Sequence, residues 1–103
     1  MYSNNNLFEA ANKFIDNVMS DGDDTKLVIS QFLSFDEGIL FWYQSEEYVL
    51  CNSESAELIG DTRFVVLRSS TEILKSNTPL MSNDDIKRAI KRNDFKKFIK
   101  FSQ

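Results

Sequence analysis

The sequence predicts a single α+β domain over residues 1–103, an antiparallel sheet of about four strands between an N-terminal helix and C-terminal helices. Three observations lead there. Leu7, Ala11, Phe14 and Val18 recur at helical spacing near the start, short apolar runs broken by turn residues fill the middle, and an amphipathic pattern returns after Ser82. With 42% apolar residues, nine Phe, three Gly and one Pro, the chain can place most of its length in regular structure around a real core.

The first helix is expected over residues 5–20. Phe8, Ile15 and Met19 widen its apolar stripe, and Asn5 or Asn6 can cap it because a short amide accepts a backbone N–H. Ser20 to Asp24 should end it, with Gly22 in the left-handed conformation. Residues 27–35 fit either a strand or a helix, since Val28, Phe32 and Phe35 also recur helically. Their β-branched and aromatic content favours the strand. Asp36-Glu37-Gly38 then suits a hairpin with a bulged glycine, leading into a second strand over residues 39–44.

Ser45-Glu46-Glu47 is expected to turn the chain into a third strand, Tyr48 to Cys51. A helical turn is expected from Ala56, Leu58 and Ile59 before Gly60-Asp61, and the fourth strand is Arg63 to Arg68. The second and fourth strands are apolar at successive positions, so both faces of the sheet should be covered. Thr71 to Lys75 reads as a helical turn, and Pro79 closes the loop after it. Ser82 or Asn83 caps a helix with Asp84 and Asp85 in its first turn, where they complement the dipole. Phe95, Phe98 and Ile99 continue its apolar face past Asn93-Asp94, giving a basic helical tail over residues 84–103.

Charge is divided sharply along the chain. Met1 to Asn83 holds thirteen acidic and five basic side chains, a net of −8, whereas Asp84 to Gln103 holds three acidic and seven basic, a net of +4. Sustained single-sign fields steer partners rather than set a fold. The chain has no histidine, which removes the usual neutral-pH base, the commonest zinc ligand and every Ser-His or Cys-His pair. Its one cysteine, Cys51, cannot form an internal disulfide and is expected to be a buried, inert thiol. The glycines lie too far apart for a phosphate-cradling loop, and the acidic loop Asp21 to Asp24 lacks the ligand spacing of a calcium site. An enzyme, a cofactor and a metal are therefore not expected. No signal peptide or apolar run of membrane length is visible, so residence in the cytoplasm and no membrane partner are expected.

The candidate recognition residues lie between Asp36 and Glu57. Trp42 and Tyr43 suit either core packing or a role as interface anchors, flanked by the carboxylates Asp36, Glu37, Glu46, Glu47, Glu54 and Glu57. An aromatic anchor with an acidic rim fits a basic protein. In the tail, Lys87, Arg88, Lys91 and Arg92 share a helical face that suits phosphates, but the net charge of −4 argues against nucleic acid as the partner.

Short, acidic, free of histidine and rich in Asn, Ser and Phe, the whole chain resembles in type the small immunity proteins of bacterial toxin–immunity loci, such as those of contact-dependent growth inhibition. The resemblance implies a non-catalytic protein that binds a toxin domain, often a basic nuclease, and blocks its active site or substrate groove. It assigns no residue roles. A phage or mobile-element regulator using the basic C-terminal helix on nucleic acid is the alternative, and a structural subunit of a larger complex is a third.

Overall fold

Along Gly38–Ser45 (β2), Ile39, Phe41 and Tyr43 point to one side of a sheet and Leu40 and Trp42 to the other, as a period of two requires. Arg63–Leu67 (β3) repeats the pattern: Phe64 and Val66 share the first face, Val65 and Leu67 the second. A strand apolar on both faces needs a cover on each. The computed structural model, which describes residues 1–19, 26–52, 54–58, 61–77 and 81–101, supplies one helix to each face.

Leu27–Phe35 (β1), β2, β3, Ile73–Ser76 (β4) and Phe98–Phe101 (β5) pair in chain order as a five-stranded antiparallel meander. The first face is covered by Asn4–Phe14 (α1), which runs on into a π-helical turn at Ile15–Met19. Leu7, Ala10, Ala11, Phe14 and Ile15 pack there against Phe41, Tyr43, Phe64 and Ile73. Ring packing ties the layer together: Phe14 lies 4.9 Å from Phe64, which stacks at 5.5 Å on Phe41. The second face is covered by Asn83–Lys91 (α3), whose Ile86 and Ile90 meet Leu40, Val65, Leu74 and Phe98.

The hairpin expected from Asp36-Glu37-Gly38 is present, with Phe35 paired to Gly38. Gly38 is not a bulged glycine, however. Its backbone is not left-handed, and it serves close approach instead, because a Cβ there would sit 2.3 Å from the Val66 carbonyl oxygen of β3. The bulge lies in β1, between Ile29 and Gln31. Arg68 locks this end of the molecule. Its guanidinium donates to Asn4 Oδ1 on α1 (2.6 Å), to Ser34 Oγ (3.2 Å) and to the carbonyls of Phe35 (3.2 Å) and Gly38 (3.3 Å).

Several expected elements differ. Ser3, not Asn5 or Asn6, caps α1; Asn6 returns the bond to the Ser3 N–H at 3.1 Å, completing a capping box. Tyr48 to Cys51 is not a third strand but part of a helix, Glu46–Cys51 (α2), because Ser45 Oγ accepts the Tyr48 N–H at 3.1 Å and two glutamates occupy the first turn. Cys51 is exposed rather than buried. Residues Ile73–Ser76 form β4 rather than a helical turn. The tail is helical only to Lys91: Asn93 is left-handed at φ 55°, and Phe98–Phe101 leaves as β5 to satisfy its backbone on β4. The expected turn at Gly22, and those at Gly60 and Pro79, lie outside the described residues.

The Gly38 contact makes a prediction. Gly38→Ala should lower stability by about 1–3 kcal/mol, the range of overpacking in a close-packed core, read as a lower urea midpoint at unchanged slope. An unchanged midpoint would show that β2 and β3 can separate without loss.

Candidate functional site

At the end of β2 the chain leaves the sheet through three fixed points. Ser45 caps α2, Glu46 N–H donates to the Lys26 carbonyl at 2.8 Å, and Gln44 makes a two-way amide bridge to Leu58. In that bridge Leu58 N–H donates to Gln44 Oε1 at 2.8 Å and Gln44 Nε2 donates to the Leu58 carbonyl at 3.1 Å. Leu58 itself packs on the α1-side core. The segment between these anchors, α2 and the 3₁₀ turn Glu54–Ala56, is thereby held against the sheet end without entering the core.

No residue of α2 is buried. Val49 is 45% and Leu50 74% exposed, and the Cys51 thiol is exposed beside them. Around this apolar centre stand Glu46 and Glu47 in the first turn, with Glu54 and Glu57 following. Tyr48 links the two groups: its hydroxyl hydrogen-bonds Glu57, and that bond, with the charges of Glu57 and Glu54, raises its pKa above the usual phenol value. Lys26 Nζ reaches Glu46 Oε2 at 3.3 Å. From Leu27 to Thr62 the charged residues are Asp36, Glu37, Glu46, Glu47, Glu54, Glu57 and Asp61, with no lysine or arginine between them.

The structure therefore brings together Glu46, Glu47, Glu54 and Glu57 and separates them from Asp36 and Glu37. The latter form the turn at the other end of β2, about 24 Å away at the ~3.4 Å rise of a strand residue. There they line a cavity of about 380 Å³ with Arg68 and Phe95. Tyr43 is only 6% exposed and belongs to the core under α1. Trp42 is half-buried on the α3 face. The apolar centre among the glutamates is thus Val49 and Leu50, which sequence reading as a strand had hidden. Ser45 followed by two glutamates was the signal for a capped helix.

Behind this end lies a partly buried polar cluster. Asp61 is held by Arg63 through Nε (2.8 Å) and Nη2 (3.0 Å), and Arg63 Nη1 donates to Asn83 Oδ1 at the start of α3 (2.9 Å). Lys75 Nζ donates to the carbonyls of Asp61 (2.7 Å) and Arg63 (3.1 Å) and sits 5.4 Å from the Tyr43 ring centre. Burial opposes ionisation of Asp61, but the Arg63 hydrogen bonds and the charges of Arg63 and Lys75 outweigh it and hold the carboxyl below its usual value. Burial pushes the Lys75 ammonium down, with Asp61 opposing. Burial, aided by Asp61, raises Tyr43. Among the described residues no buried side-chain polar atom lacks a partner, which fits a brace between the sheet and α3.

The basic residues of α3 are partly matched on their own helix. Lys87 Nζ lies 3.5 Å from Asp84 and Arg88 Nη1 3.2 Å from Asp85. Among the described residues no group of three or more His, Cys, Asp or Glu side chains is placed to hold a metal ion, and no helix is long and apolar enough to cross a membrane. No protein-family model, curated protein or solved structure matches this chain.

The brace makes a pH prediction. A carboxyl whose folded-state pKa is depressed contributes stability above its ordinary value, near 3.8, and loses it as pH falls through the lower folded value. Asp61→Asn should cost about 1.5–3 kcal/mol at pH 7, the scale of hydrogen bonds to a charged group. It should also flatten the fall in stability below the ordinary carboxylate range. Urea titrations of both proteins across the acid range would check this; parallel curves would remove Asp61 from the account.

Proposed function

We propose that the protein is a non-catalytic binding protein that captures a basic toxin domain and neutralises it, with the α2 surface as its docking site. One observation carries the reading: Val49 and Leu50 are displayed to water on a capped helix with no buried residue, inside a group of four glutamates. Exposed apolar side chains rimmed by charge mark interaction sites. The glutamates would attract a lysine- and arginine-rich groove and speed encounter, while burial of Val49 and Leu50 would slow dissociation. Resemblance in type to small immunity proteins supports toxin neutralisation as the purpose. Action in the cytoplasm agrees with an exposed free Cys51, which stays reduced there.

A regulator reading nucleic acid through α3 is the second reading, favoured by the exposed Lys91 and Arg92. It is weakened by the pairing of Lys87 and Arg88 with Asp84 and Asp85.

The test is co-expression with any toxic domain that the neighbouring gene encodes. The protein should restore growth, and Glu46→Lys/Glu47→Lys should slow association with the purified domain roughly tenfold or more at low salt. Leu50→Asp should raise the dissociation rate, and the bound partner should shield Cys51 from maleimide. Thermal melts of both variants should match the parent. Full protection of growth by a folded protein carrying Glu46→Lys, Glu47→Lys and Leu50→Asp together would move the docking site away from α2. A shift of DNA or RNA at low salt, lost on neutralising Lys91 and Arg92, would favour the second reading.

A further inference from the structure

The strand β1 forms one edge of the sheet, and its own side chains carry no charge to guard it. Its nine residues, Leu27–Phe35, include no charged side chain and no proline, the usual means of blunting such an edge. Ser30 to Ser34 are all exposed, with Phe32 at 54% and Leu33 at 38%. The opposite edge is different: β5 has four residues and carries Lys100. Charge returns only at the two ends of β1, as Lys26 before it and Asp36-Glu37 after it, and these are opposite in sign.

We propose that β1 pairs antiparallel with β1 of a second copy of this chain, joining the two sheets across a two-fold axis at Phe32. A two-fold normal to the sheet keeps each face on its own side, so paired residues must share a face. Phe32 then meets Phe32 of the second copy on the α1 side, and Gln31 meets Leu33 of the second copy on the α3 side. The existing pairing of Phe32 with Phe41 and of Gln31 with Trp42 defines those faces.

The bulge sets the charge pairing. It absorbs one residue between Ile29 and Gln31, so Lys26 lies five steps before Phe32, while Asp36, the first residue of the turn, lies four steps after it. Antiparallel symmetry therefore brings Lys26 of each copy to the exposed Asp36 that opens the turn of the other, one step away and within reach of a lysine side chain. The same strand that lacks internal charge is thus complementary to itself at both ends. Phe32 is also held in place beforehand, its ring meeting Phe8 of α1 edge-on at 5.0 Å, which lowers the cost of ordering it in a contact. A single strand edge buries less than the ~1,600 Å² of a standard interface, so this dimer dissociates on dilution. The surface is β1, distinct from the α2 docking site.

Sedimentation equilibrium over a concentration series tests the proposal. The average mass should climb from 11.9 kDa toward twice that value. Gln31→Lys, at an exposed edge position, should hold the protein monomeric with an unchanged melt. Asp36→Lys should weaken the dimer, and Lys26→Glu combined with Asp36→Lys should restore it. A mass of 11.9 kDa at every concentration up to the solubility limit would overturn the proposal. So would a dimer indifferent to Gln31→Lys, or a double variant no better than Asp36→Lys alone.

Discussion

The pairing of β2 with β3, buried on both faces at once, is the constraint on which the rest of the structure depends. Leu40, Phe41, Val65 and Val66 are each at most 1% exposed, yet adjacent members of each pair point in opposite directions. No two-layer arrangement can bury them all. A helix must lie on each side, which is why the chain begins with α1, crosses the sheet, and brings α3 back over the other face. The close approach at Gly38 and the Arg68 clasp fix one end of this central pair. The Asp61-Arg63-Lys75 brace fixes the other.

Sealing both faces also decides what remains outside. With α1 and α3 committed to the sheet, the exposed large apolar side chains fall mainly at the termini, on α2 and along the edges of the sheet. The two uncovered places differ in electrostatics. Around α2 the carboxylates are concentrated and suit a basic partner. Along β1 there is no charge at all, and the strand suits backbone pairing. We therefore propose one surface for a foreign partner and one for a second copy.

Much of the fold was legible because the physics involved is local. The stripe Leu7-Ala11-Phe14, the double-faced runs at 39–43 and 64–67, and the hairpin turn at Asp36-Glu37 each carry their own signal, and each formed, the turn without the bulged glycine expected of it. The errors arose where short apolar runs met competing local signals. Tyr48-Val49-Leu50-Cys51 has strand composition, but the Ser45 cap and two first-turn glutamates win it for a helix. Phe95, Phe98 and Ile99 keep helical spacing, yet β4 offers Phe98–Phe101 a hydrogen-bonding partner more than twenty residues away in sequence, which no local pattern can reveal. The same misreading of α2 displaced the expected aromatic anchor. Tyr43 lies in the core, and the exposed apolar residues, Val49 and Leu50, sit six and seven residues further along the chain.

The central claim is that α2 is displayed by the fold rather than built into it, and native-state hydrogen exchange measures this most directly. Amides in stable cores exchange only through global unfolding, whereas elements with few buried contacts exchange through local opening. The amides of Gly38–Ser45 and Arg63–Leu67 should be the most protected in the chain and share one denaturant dependence. Those of Glu46–Cys51 should exchange far faster, with little dependence on denaturant. Protection of α2 equal to that of β2 and β3 would contradict the account, because it would make the helix part of the cooperative core.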